Sequence, residues 1–411
     1  MNTNKIIETH AKEKENIQES GPSTRAVHAN KRDNPYHALA DPVVQTAAFT
    51  FRDTADLMAF MEANEAGTTN GRVEYGRYGN PTVRAVEERL AGLENAEDTL
   101  LFSSGMAAVT SVLLALLSSG DHVIITNDCY KKTRQFCADF LNRLGITSTV
   151  IPMNDIPALD AAVRPKTRLL VSETPTNPFL RVADLETFVS AARRHNLLTL
   201  IDATLSTPLN LRPLDYGVDL VVHSATKYLS GHNDLLAGCV SGNKENIKVL
   251  RDAIGVMGAV ADPHNASLLL RGIKTLALRV ARHNQNGLAV SQYLESSHKI
   301  ERVWYPGLAS HPDHDAASRQ MSGFGGVVSF TVKGGLEHAA RFVDAVQIPV
   351  IAPSFGGPES LIEQPALQAY FPLTSAEREA IGISDNLVRL ALGIEDTADL
   401  IADLEQALKR F

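Results

Sequence analysis

Between residues 122 and 222 the chain sets down short apolar runs, each closed by a cluster of polar residues. The runs are His122–Thr126, Arg168–Ser172, Leu197–Ile201 and Val218–Val222, with helical patterns between them. Continuous Val, Ile and Leu runs suit strands covered on both faces, and their alternation with helices predicts a largely parallel α/β sheet. The run Ala107–Leu117 reads as a buried helix, being too short to cross a bilayer. From Asp41 to Gly79 there are turns and one amphipathic stretch, Thr54–Ala63, without strand alternation, which suggests an arm. Near Asn286 the pattern changes to helices mixed with an isolated strand, Gly326–Thr331, and a final helix, Thr397–Lys409. The expected organisation is a flexible leader over 1–22, an arm over 23–80, a large domain over 81–280 and a smaller α+β domain over 281–411.

Ligands of open α/β sheets bind beyond the carboxyl ends of the strands, so the residues closing each run are the candidates for chemistry. Tyr130 follows the first run and Asn177 the second, in Glu173-Thr174-Pro175-Thr176-Asn177-Pro178. Asp202 follows the third, and Ser224-Ala225-Thr226-Lys227 the fourth. An aromatic ring, an amide, a carboxylate and an amine at one sheet edge suit a phosphorylated aromatic aldehyde. Lys227 would form an imine with that aldehyde, since a desolvated lysine is an effective nucleophile. Asp202 would pair with a protonated ring nitrogen, Tyr130 would stack on the ring, and Asn177 would bond its 3-oxygen. Solvation alone explains poorly a lysine that closes a Val-Val-His-Ser-Ala-Thr run. Ser103-Ser104-Gly105-Met106 precedes the apolar helix and would aim backbone N–H groups at a phosphate; as an isolated feature it is equally a helix cap. Ser224 and Thr226 would add hydroxyl donors.

Composition narrows the classes. The 411 residues carry a net charge of -8 and show no basic stripe, which argues against nucleic-acid binding. Three widely spaced cysteines without a CxxC pair give no disulfide framework and no zinc site, and no metal is expected. The first twenty residues are polar and acidic, unlike a secretory signal or a transit peptide, so a cytoplasmic location is expected, with no membrane partner. A dinucleotide-binding module would need a Gly-rich turn after a strand. Gly323-Phe324-Gly325-Gly326 lacks that glycine spacing and precedes a strand.

Four segments together resemble the signatures of the Cys/Met-metabolism family of pyridoxal-phosphate (PLP) enzymes. They are Tyr75-Gly76-Arg77-Tyr78-Gly79-Asn80-Pro81-Thr82, Ser103–Met106, Glu173–Pro178 and Ser224–Tyr228. The resemblance runs from about residue 24 to the C-terminus. It implies fold-type I, the aspartate-aminotransferase-like architecture, with PLP carried on Lys227 and held by Ser104, Gly105, Met106, Tyr130, Asn177, Asp202, Ser224 and Thr226. It also implies that Tyr75 and Arg77 reach the cofactor phosphate of a neighbouring subunit, in a homotetramer built as a dimer of dimers with shared sites. Within it, Arg389 of Asn386–Glu395 matches the arginine that grips the substrate α-carboxylate, a task suited to a bidentate guanidinium. Ser354 matches the serine that positions the lysine and that carboxylate. Lys227 and Tyr130 are the catalytic candidates.

Asp128–Arg134, His232–Cys239 and Arg319–Gly326 resemble the plant-type cystathionine γ-synthase branch, as does Pro353 before Ser354. That branch implies γ-replacement on O-phospho- or O-acyl-homoserine by cysteine. Lys132 and Arg134 would meet the distal phosphate or carboxylate, or else merely solvate a helix start. Freed Lys227 would act as the base that moves protons at the α- and β-carbons while the γ-group leaves and the thiolate adds. A γ-lyase, an O-acylhomoserine sulfhydrylase and a γ-substituting enzyme with another nucleophile share these motifs and stay open.

Overall fold

The computed structural model describes residues 17, 19–29, 34–69 and 71–410. Most of the expected leader therefore lies outside the described residues. Seven strands form the first sheet: β1 (Asp98–Phe102), β2 (His122–Thr126), β3 (Thr147–Ile151), β4 (Thr167–Glu173), β5 (Leu198–Asp202), β6 (Leu220–His223) and β7 (Gly238–Gly242). Their spatial order is β1-β7-β6-β5-β4-β2-β3. β3, β2, β4, β5 and β6 run parallel, and β7 is antiparallel to both its neighbours. Both faces are covered. Val123, Ile125, Leu169, Val171, Leu200 and Val222 pack on one side; Ile124, Leu170, Ile201 and Val221 pack on the other. Each such buried side chain contributes about 1.5–3 kcal/mol, and this double cover explains why the runs show no polar alternation.

The second sheet differs from the expectation of an isolated strand at Gly326–Thr331. That strand, β9 (Val327–Val332), sits inside a five-stranded sheet ordered β10-β11-β12-β9-β8. Its companions are β8 (Ile300–Trp304), β10 (Val350–Ile351), β11 (Leu361–Glu363) and β12 (Leu387–Ala391). Two of these span only two or three residues and β8 carries Glu301 and Arg302, so none of the three has a readable period. β3 and β7 escaped notice for similar reasons, being rich in Thr and Ser or in Gly.

Two local choices position the site. Ser104 caps the helix Gly105–Leu116 by accepting from Ala107 N at 3.0 Å, which satisfies one free donor of the first turn. Gly238 lies so close to that turn that a Cβ would meet Ser104 O at 2.2 Å, so β7 can only pass with a bare α-carbon. Gly238→Ala should destabilise the protein by about 1–3 kcal/mol through forced backbone movement, read as a lower midpoint in urea unfolding.

Candidate active site

The carboxyl ends of β4, β5 and β6 bring Glu173, Asp202 and the segment Ser224–Lys227 together, as parallel strands must. Asp202 is the last residue of β5, in register with Glu173 at the end of β4. One Asp202 oxygen accepts from Thr204 N at 3.0 Å and from Thr204 Oγ at 2.5 Å. The Thr204 hydroxyl also accepts from Ser224 N at 2.8 Å, which ties the two strand ends together. Glu173 is buried, and its carboxylate accepts from Tyr130 N at 2.6 Å. Burial, and then the Asp202 charge, push the Glu173 carboxyl well above the usual range. Burial also raises Asp202, but its two Thr204 bonds and His223 oppose that. Charge on the pair is therefore disfavoured more at Glu173 than at Asp202, whose carboxylate the Thr204 donors stabilise.

Lys227 lies in the partly buried loop after β6, and its Nζ donates to Ser354 Oγ at 2.7 Å. The amine is also 5.1 Å from the Phe355 ring centroid. Burial, assisted by the neighbouring Arg389 charge, lowers it from 10.5 to about 8, against the opposing pull of Glu363. Ser354 has a positive φ of 96°, a strained setting for a non-glycine residue. Its carbonyl accepts from Arg389 Nη2 at 2.9 Å, so one residue faces both cations. Arg389 Nη1 donates to Asn177 Oδ1 at 3.3 Å and pairs with Glu363 at 2.9 Å.

Ser224 sits under Gly105, where a Cβ would meet Ser224 Cβ at 2.8 Å. The N–H groups of Gly105 and Met106 open the helix beside it, with no bonded partner among the described residues. The helix start thus offers an anion cradle, and Asp202, joined to Ser224 through the Thr204 hydroxyl, has no ion pair among the described residues. Tyr130, 46% exposed, is placed beside this cluster by the bond from its backbone N–H to Glu173.

A family model for Cys/Met metabolism PLP-dependent enzymes matches residues 23–409. The chain belongs to that family. Among its relatives is cystathionine gamma-synthase 1, chloroplastic, of Arabidopsis thaliana, 48% identical over 373 residues, which are 90% of this chain and 65% of that protein. This chain thus spans slightly under two thirds of that relative. L-methionine gamma-lyase of Pseudomonas putida is 42% identical, over 95% of this chain and 97% of its own. The solved structure of metB from Corynebacterium glutamicum superposes with a TM-score of 0.87 at 35% identity, covering 95% of this chain and 98% of that one. The chain is therefore a PLP-dependent enzyme family member of the fold-type I α/β class. The residues fit the cofactor: Asp202 offers an unpaired carboxylate for a pyridinium, the Ser104–Met106 turn offers donors for a phosphate, and Lys227 offers a desolvated amine.

Not every expected residue joins this cluster. Tyr75 and Arg77 lie on the arm; Tyr75 bridges to Ala48, and Arg77 donates to Gly255 O of the same chain. Lys132 is exposed and bonded to Gln135 at 2.9 Å. Thr226 spends its hydroxyl on Ala237, donating to its carbonyl at 3.2 Å and accepting from its N–H at 3.0 Å. Arg134 stays nearer, bonded to Cys129 O at 3.0 Å and facing Tyr370 and Glu173. Sequence reasoning gave no role to Thr204, Phe355 or Glu363. Thr204 had a signal, standing two residues after Asp202; Glu363 had none, since it closes a three-residue strand and meets Arg389 of β12 only through strand register.

Cys129, Cys137 and Cys239 are buried and free. Among the described residues no His, Cys, Asp and Glu group is arranged to hold a metal, and no helix is long and apolar enough to cross a membrane.

The lysine makes a direct prediction. Below pH 8 the Lys227 amine is mostly charged and unreactive, so PLP uptake by apoenzyme should accelerate as pH rises from 7 and level off above about 8. Stopped-flow absorbance of the cofactor band checks this, and Lys227→Ala should abolish the band.

Proposed function

We propose that this protein is a cystathionine γ-synthase-like enzyme, joining L-cysteine to the γ-carbon of an activated L-homoserine. The observation that carries the reading is the relay in which Lys227 Nζ meets Ser354 Oγ while the Ser354 carbonyl holds Arg389. It sets a carboxylate-binding guanidinium and a proton-accepting amine either side of one residue, as an α-amino acid requires. The choice of cysteine as nucleophile rests on the relationship to the plant synthases.

Arg389 takes the substrate α-carboxylate, and Ser354 keeps the Lys227 amine beside the α-carbon. An amine near pKa 8 is neutral in about a tenth of molecules at pH 7, enough to accept the α-proton and return one at the β-carbon. Asp202, favoured for the charge by its Thr204 donors, holds the ring-nitrogen proton, and Asn177 offers its amide N–H to the 3-oxygen. Bound PLP supplies the electron sink for charge developing at the substrate α-carbon. Tyr130 covers the ring. Burial and Glu173 raise its phenol above the usual value, which favours a stacking and hydrogen-bonding role over that of a resting base. Arg134, the nearer of the two cations, meets the departing phosphate or carboxylate group; Lys132, held by Gln135, does not.

Tyr75 and Arg77, unused by their own chain's site, complete the site of a neighbouring subunit in a cytoplasmic homotetramer. Light scattering should then report four copies of the 44.5 kDa chain. The reaction is tested by supplying O-phospho-, O-succinyl- or O-acetyl-homoserine with cysteine, sulfide or neither. Cystathionine should form with cysteine, at the expense of 2-oxobutyrate. Release of 2-oxobutyrate at a rate indifferent to cysteine would establish a lyase, and preferential capture of sulfide a sulfhydrylase.

A further inference from the structure

Arg389 already holds an anion from its own chain. Glu363 closes β11 and stands directly opposite Arg389 of β12 in antiparallel register. Nη1 and Oε1 are 2.9 Å apart, with side chains only 6% and 9% exposed. Nη1 is further engaged by Asn177 and Nη2 by the Ser354 carbonyl, while Arg389 Nε is buried with no partner among the described residues. A buried ion pair is a poor way to join two strands, since apolar residues of the same volume do so at least as well. Its place on the guanidinium nearest Lys227 points to binding rather than to sheet stability.

We propose that Glu363 sets the affinity of this site for a substrate carboxylate, as an internal anion that shares the Arg389 guanidinium with the ligand. This rests on the reading that Arg389 takes the α-carboxylate. With Nη1 committed to Glu363 and Asn177, the guanidinium cannot rotate, so Glu363 is a positioning residue. Its charge also stands beside the incoming carboxylate and repels it. Tight grip is exchanged for a defined orientation and ready release. The same charge reaches Lys227, and together with Tyr130 and Tyr228 these are the titratable groups that face the pair.

The test uses holoenzyme titrated with glycine and with methylamine, which is glycine without its carboxylate, following cofactor absorbance. Glu363→Gln keeps an acceptor for Nη1 and removes the charge. It should bind glycine about tenfold more tightly, the size expected for one nearby partly screened charge, while methylamine affinity stays within about twofold. Unchanged glycine affinity, or equal tightening for both ligands, would overturn the proposal. Wild-type enzyme that holds glycine no better than methylamine would instead defeat the Arg389 reading beneath it. Should Glu363→Gln fail to fold, Glu363→Ser removes the same charge and is held to the same outcome. Failure of both to fold would make Glu363 a structural counter-ion and overturn the claim.

Discussion

Two cations share one desolvated corner of this protein, and much of the site follows from how that is tolerated. Lys227 and Arg389 face the same residue, Ser354, and flank the same ring, Phe355, with centroid distances of 5.1 and 5.9 Å. Charges withdrawn from water are costly unless they are paired or lose their proton. The two residues take different routes. Arg389 keeps its charge, because guanidinium does not deprotonate in proteins, and binds Glu363. Lys227 gives up its proton more readily, reaching about 8. The charge of one thereby helps to activate the other.

A mirrored arrangement exists on the anionic side. Glu173 and Asp202 end adjacent parallel strands, so register alone places their carboxyl groups together. Two carboxylates in one dry corner do not both ionise. Thr204 favours the charge on Asp202, giving both its donors to that carboxylate. A residue two positions downstream thus makes Asp202 the better-stabilised carboxylate of the two. Glu173 meanwhile accepts from the Tyr130 backbone N–H and so helps to fix where the ring stands.

The two layers of the molecule contribute unequally. The parallel sheet supplies Lys227, the Glu173 and Asp202 carboxyl groups and the helix start at Ser104–Met106. The antiparallel sheet supplies one strand position, Arg389, and its opposite number, Glu363. Ser354 lies in the loop after β10, and its left-handed backbone joins the two contributions. The contacts of Arg389 therefore depend on how one sheet docks on the other, and the Glu173–Asp202–Ser224 cluster depends on the first sheet alone.

The apolar runs at His122, Arg168, Leu197 and Val218 were legible because strands buried on both faces leave no polar positions to confuse the period. The residues ending them were legible for the same reason, which is why Lys227, Asp202, Asn177 and Tyr130 could be named from sequence. β8, β10 and β11 were hidden, since two or three residues, or a strand bearing Glu301 and Arg302, carry no periodic signal. What tertiary structure alone decided were the pairings made across distance. Arg389 meets Glu363 through strand register and Asn177 through sheet docking. Lys227 meets Ser354 across 127 positions of chain, and Tyr75 and Arg77 are left on an arm away from their own chain's lysine. Residue type and local pattern determined which groups could do chemistry; burial and contact determined their charge, and with it what each can do.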